Sequence, residues 1–210
     1  MKKSLIPFID YKRIYSTITS VLSNEECEID HSCLYFSILG ARILQVHYKL
    51  QPEVYMGLAA FKMGESVEDT LFYAELEESS LVCTENGFHS WVVVGDWIID
   101  FTAPRFNELL KRKRNRDYGS PKMFQKRIND MSASPYELNN VGDFFLNIND
   151  ELTENFFNKF VSHPMNHDLM EITADWYRKP PRKMKAIGIS DGKGYSNKVS
   201  LQNQSLVGSW

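Results

Sequence analysis

Residues 88–102 constrain the fold of this 210-residue chain more than any other stretch. Phe88-His89-Ser90-Trp91-Val92-Val93-Val94 and Trp97-Ile98-Ile99-Asp100-Phe101-Thr102 are runs rich in β-branched and aromatic residues, and Gly95-Asp96 separates them. A Gly-Asp pair between two such runs marks a tight hairpin. With a two-residue turn, Val94 faces Trp97, Val92 faces Ile99, Trp91 faces Asp100 and His89 faces Thr102. Opposed residues share a face of the sheet, and so do residues two apart on one strand. His89, Trp91, Val93, Ile98, Asp100 and Thr102 therefore lie on one face. Ser90, Val92, Val94, Trp97, Ile99 and Phe101 lie on the other. Both faces are largely apolar, so the hairpin is expected to be covered on both sides. His89 and Asp100 become diagonal neighbours, with Cβ atoms about 7 Å apart or less. A buried carboxylate needs a partner, and His89 is the one within reach. A four-residue turn keeps this parity, whereas a three-residue turn reverses it.

A cysteine stands upstream of this pair. Ser32-Cys33-Leu34-Tyr35-Phe36-Ser37-Ile38-Leu39-Gly40-Ala41 reads as the start of an apolar helix, capped by Asp30 or Ser32 and running to about Leu44. Helical spacing puts Cys33, Ser37, Gly40, Ala41 and Leu44 on one side. Small residues there let the helix lie close to a sheet. A thiolate is favoured at a helix N-terminus and beside an imidazolium, and the Cys33 backbone N–H is a natural oxyanion donor. Taken singly, each residue has a plainer explanation. Free cysteine is commonly inert packing, a core histidine is commonly a satisfied hydrogen bonder, and so is an aspartate at a strand end. The order Cys33, His89, Asp100, together with the face parity, instead favours a nucleophile, a base and its orienter.

The remaining elements are weaker. Residues 11–23 are expected to form a helix capped by Asp10, 54–62 a strand, and 71–76 and 79–83 lesser strands. Pro104 is expected to open a helix through Lys113. Residues 121–130, 151–161 and 168–177 also read as helical. The expectation is one α+β domain over residues 1–177, with N-terminal helices on an antiparallel sheet, a core at 30–104 and further helices after it. Residues 178–210 form an extension, either a short hairpin or a largely mobile tail.

Composition narrows the function classes. A net charge of -3 offers no broad attraction for nucleic acid or anionic membrane. No apolar run approaches the roughly 20 residues that span a bilayer, and Met1–Asp10 reads as mature protein, not a signal peptide. Cys27, Cys33 and Cys83 are odd in number and lack Cys-x-x-Cys spacing. Neither a disulfide framework nor structural zinc is therefore expected, and the cytosol is the expected compartment. The basic run Lys111-Arg112-Lys113-Arg114-Asn115-Arg116 is read as a solvated helix end, not a nucleic-acid contact. His163 and His167 are four apart, but Pro164 breaks the helix that would align them for a metal. His31 is read as a surface residue beside the cap, and Gly192-Lys193-Gly194 lacks the spacing of a phosphate loop.

The pieces Ser32-Cys33-Leu34, Phe88-His89-Ser90-Trp91-Val92 and Trp97-Ile98-Ile99-Asp100-Phe101-Thr102-Ala103-Pro104 resemble the transglutaminase-like branch of the papain-like thiol superfamily. The resemblance covers about residues 30–104. The chain is also similar to the maturation peptidases of lasso peptides, which share a Cys-Leu start and a His-x-Trp-Val strand. The resemblance implies a papain/transglutaminase-like core, with Cys33 as nucleophile, His89 as general base and then acid, and Asp100 as orienter. It implies no metal and no organic cofactor. Three family features are missing: a Trp next to the nucleophile, the papain Cys-Gly-Ser-Cys-Trp signature, and the Arg-Gly-Gly-x-Cys motif of arylamine N-acetyltransferases. Hydrolysis, amide transfer and acyl transfer thus stay open, with a peptidase or amidase ahead. The expected substrate is a peptide, a protein or a small acyl or amide compound. The alternative is a non-catalytic member of the fold that binds a protein.

Overall fold

Two helices come first in the computed structural model, α1 (Phe8–Ser23) and α2 (Cys33–Tyr48). Strands β1 (Glu53–Lys62), β2 (Thr70–Tyr73), β3 (Glu75–Glu77), β4 (Ser80–Val82), β5 (His89–Val94) and β6 (Trp97–Asp100) follow. Then come α3 (Phe106–Arg114), β7 (Phe124–Arg127), β8 (Phe144–Ile148), α4 (Asp150–Ser162), α5 (Pro164–Arg178) and the pair β9 (Ile187–Ser190) and β10 (Ser196–Val199). The structure describes residues 4–24, 32–78, 80–178, 187–190, 194–199 and 208–209. Cys27, Asp30, His31, Gly192 and Lys193 lie outside them. This is an α+β fold, with N-terminal helices on an antiparallel sheet and further helices after it. No helix of the described residues is long and apolar enough to cross a membrane.

The hairpin forms in the register its residues imply: Val92 pairs with Ile99, Val93 with Ile98 and Val94 with Trp97. Its two faces enter two cores. Val92, Val94, Ile99 and Phe101 pack with Ile14 and Ile18 of α1, Leu39 and Leu44 of α2 and Trp176 of α5. Trp91 and Ile98 pack with Phe61, Phe106, Phe124 and Phe144 on the opposite side. The sheet curls around that second core. Phe124 of β7 and Phe144 of β8 come from strands that do not pair, yet their ring centroids are 5.1 Å apart.

Helix α2 approaches the sheet closely, as its small residues allow. A Cβ added to Gly40 would sit 2.2 Å from the Phe101 ring, so nothing larger than hydrogen fits without movement. Gly40→Val is therefore expected to destabilise the protein by about 1–3 kcal/mol through overpacking. Urea unfolding measures this, and an unchanged midpoint would show that the contact yields freely.

Several expectations are corrected. Pro7, not Asp10, stands at the N-cap of α1, and Asp10 lies in the first turn. The proline carbonyl accepts from the N–H groups of both Asp10 and Tyr11 at 3.0 Å, so the helix starts earlier than its apolar pattern. Helix α2 runs past Leu44 to Tyr48, where Lys49 ends it in a left-handed conformation (φ 56°). The extra turn is held by α5, since His47 Nε2 contacts the Ala174 carbonyl at 2.8 Å. The helix expected from Pro104 is split into one 3-10 turn (Ala103–Arg105) and then α3.

Residues 121–130 do not form the expected α-helix, although Ile128–Asp130 makes one 3-10 turn. They carry strand β7, which pairs Ile99 with Gln125 and Asp100 with Phe124. The Gln125 amide also holds both the N–H and the C=O of Ile6, each at 3.1 Å. Pairing with a strand far upstream overrides a local pattern with no alternation. Strand β8 gave no sequence signal. In the C-terminal extension β9 pairs with β10, and Ile189 and Val199 are buried in the helix-side core.

Candidate active site

Strand β1 is long enough to hold two strands in series. Gly57 pairs with His89 at the start of β5, and Ala59 pairs with Tyr73 at the end of β2. Strands β2 and β5 therefore follow one another along β1, and residues 74–88 form an excursion between them. Its base is tight, because a Cβ on Gly87 would lie 2.8 Å from the backbone of Ala74 and Glu75. The excursion thus begins and ends against His89.

His89 and Asp100 meet as the hairpin parity requires. His89 Nε2 donates to Asp100 Oδ2 at 2.6 Å, and both side chains are 0% exposed. The other carboxylate oxygen, Oδ1, accepts from the Thr102 N–H at 2.8 Å. The Tyr11 hydroxyl donates to the Asp100 backbone carbonyl. Burial pushes the Tyr11 phenol well above its ordinary range, and the Asp100 charge pushes the same way. Asp100 is thus held from α1, β5 and the turn that follows β6.

Cys33 is the first residue of α2 and is 7% exposed. Ser32 occupies the N-cap position without a side-chain capping bond. The Cys33 side chain lies close enough to the His89 ring to interact with it. Since Nε2 is engaged by Asp100, Nδ1 is the nitrogen left to exchange a proton with the thiol. Nδ1 is buried and makes no ordinary hydrogen bond among the described residues. Burial opposes a charged imidazole here, but the Asp100 carboxylate and then Cys33 more than offset it, and the His89 pKa is raised to about 9. The ring is boxed by aromatics. Tyr73 stacks on it with centroids 4.2 Å apart, and Phe61 and Phe106 meet it at 5.6 and 5.7 Å. An aromatic face also favours the protonated ring.

Cys33 opens onto a cleft of about 360 Å³, walled by Leu71–Ala74, Glu85–Phe88, and Leu109, Arg112 and Lys113 of α3. All three site residues read from the sequence converge at this corner. The sequence reading missed Tyr73, the excursion and the contribution of α3. Tyr73 carried no signal, because only the end-to-end arrangement of β2 and β5 brings it to His89. The basic run does end a helix, with Lys111 to Arg114 in its last turn. However, Arg116 turns back to the buried carboxylate of Asp69 at 3.1 Å, and Arg112 and Lys113 border the cleft. His163 closes α4 and His167 lies in α5. Among the described residues no group of three or more His, Cys, Asp or Glu is placed to hold a metal.

A family model described as "Protein of unknown function (DUF2026)" matches residues 7–210. The chain belongs to the DUF2026 family. The DUF2026 match spans the segment after residue 104 as well as the sheet that carries His89 and Asp100. This DUF2026 chain is also similar to a solved structure described as "The crystal structure of genomics APC5867", at 34% identity and a TM-score of 0.84. That likeness covers 100% of this chain and 99% of the other. No curated protein matches this DUF2026 chain.

Proposed function

We propose that this DUF2026 protein is a thiol enzyme that acts on an amide, ester or thioester carbonyl, with Cys33, His89 and Asp100 as its triad. The observation that carries this reading is the buried His89–Asp100 bond on the ring whose other face of chemistry, Nδ1, is left to Cys33. The transglutaminase-like resemblance belongs to the same proposal, and a peptidase or amidase stays ahead of a transferase.

The Cys33 thiol passes its proton to His89 Nδ1, giving a thiolate–imidazolium pair at the start of α2, where backbone N–H groups favour negative charge. The thiolate attacks the carbonyl carbon and an S–C bond forms. The carbonyl π electrons move to oxygen, to which the Cys33 N–H, at the start of α2, is proposed to donate. The imidazolium gives its proton to the leaving amine, alcohol or thiol as the C–N, C–O or C–S bond breaks. Water or another acceptor then loses a proton to His89 and attacks the acyl-enzyme, and the Cys33 thiolate leaves. Asp100 holds the ring in the tautomer that carries hydrogen on Nε2 and stabilises its positive charge. No step calls on a metal or an organic cofactor. A reactive thiolate is best kept in a reducing compartment, so the cytosol goes with this proposal.

A non-catalytic reading draws on the complete burial of His89 and Asp100, which also suits a structural pair beneath a protein-binding cleft. Alkylation of Cys33 separates the two. An ordinary thiol, with a pKa of about 8.5, is only about 0.3% ionised near pH 6. The expected result is fast labelling by iodoacetamide on a plateau extending below pH 7, slowed roughly tenfold in His89→Ala as the paired thiolate is lost. Slow labelling of the wild type, rising only above pH 8, would remove the enzyme reading without reference to any variant.

A further inference from the structure

The Cys33 cleft has a charge asymmetry that bears on what it takes. Its lining includes the apolar side chains of Leu71, Phe72, Phe88 and Leu109. Among the described residues three charged side chains line the cleft, and two already have partners. Glu85 is held by Lys159 at 3.3 Å and by Asn155 at 3.2 Å. Arg112 is held by Glu108 at 2.7 Å. The third, Lys113, makes no hydrogen bond or ion pair among the described residues. Lys111 and Arg114 extend the positive end of α3 beside it. The volume of about 360 Å³ lies in the range of small-molecule sites.

We infer that the cleft selects a small substrate whose apolar acyl part rests on Leu71, Phe72, Phe88 and Leu109 and whose anionic group, a carboxylate or a phosphate, pairs with Lys113. This inference rests on the thiol reading of Cys33. Lysine acts as a compact point charge and suits either anion. With Glu85 and Arg112 engaged, Lys113 is the charge among the described lining residues that is left to the incoming group. Lys113 is thus a specificity-determining residue, and neutral acyl compounds of the same shape are poorer substrates.

Two reagents test this without a known substrate. Iodoacetate and iodoacetamide form the same S–CH₂ bond at Cys33, with iodide leaving, and differ in the charge they carry. Their rates at Cys33, followed by peptide mapping, give a ratio that cancels the intrinsic reactivity of the thiolate. Lys113→Met is expected to lower the iodoacetate-to-iodoacetamide ratio about fivefold, the size of one partly exposed charge pair. Lys113→Arg is expected to keep it, and high salt to lower it in the wild type. Lys113 is exposed, so these variants leave the fold intact. Protection of Cys33 by succinate but not by inorganic phosphate would assign a carboxylate, and the reverse a phosphate. Protection by neither overturns the inference. So does an unchanged ratio in Lys113→Met while both reagents still label quickly, and in that case the thiol reading stands. Slow labelling of the wild type by both reagents removes the thiol reading and this inference with it.

Discussion

Asp100→Ala is expected to destabilise the protein by about 3–5 kcal/mol, the usual cost of removing one member of a buried ion pair. Asp100 is fully buried and engages two groups at once, His89 Nε2 through Oδ2 and the Thr102 N–H through Oδ1. Truncation leaves both donors buried without an acceptor, and each orphan carries its own desolvation cost. For a chain of this size each kcal/mol lowers Tm by about 2–4 °C, so thermal unfolding should shift by roughly 6–20 °C. Asp100→Asn keeps the volume and an oxygen for Thr102 and should cost less. Equal costs for the two variants would mean that packing at this corner, not the charge, holds the pair.

Stability should also fall as pH rises from about 6.5 to 9, the interval between the ordinary histidine pKa and that of His89 in the folded protein. The folded-state pKa is raised, so the protonated ring contributes its full stabilisation below the unfolded value. That contribution is lost as pH climbs through the folded one. Its size is at most roughly 3–4 kcal/mol, from about 1.4 kcal/mol per pKa unit. Urea unfolding at pH values across the interval measures it, with His89→Gln expected to be flat over the same range. Parallel curves for the two proteins would show that the buried ring is not charged. The same proton matters for chemistry, because the imidazolium that stabilises the fold is the acid proposed to protonate the leaving group.

The site was legible because its chemistry follows from short-range rules. The hairpin needed only a two-residue turn and the alternation of side chains, and the 2.6 Å bond between His89 and Asp100 follows from that parity. The start of a helix at Cys33 followed from an apolar run after a polar segment, and its close approach to the sheet from Gly40. The cap of α1 is not legible, because an aspartate in the first turn and one at the cap leave similar local patterns.

Other features were hidden for a common reason. β7 pairs with β6 across α3 and its following loop, and β8 pairs with β1 across more than eighty residues. Closing such loops depends on the rest of the fold, and short strands such as Phe124–Arg127 carry too few residues to announce a period. Tyr73 reaches His89 only because β1 is long enough to hold β2 and β5 in series. Lys113 reaches the cleft only because α3 packs over the same face.

The chain by itself thus determined which residues share a face, where the thiol-bearing helix begins, and that His89 would find Asp100. These depend on backbone periodicity and on neighbours in sequence. Tertiary structure alone decided what surrounds the three residues: the stacked Tyr73, the excursion between β2 and β5 and Lys113 beside the cleft. Those positions are set by strand order and helix packing, in which distant segments compete for the same buried surface.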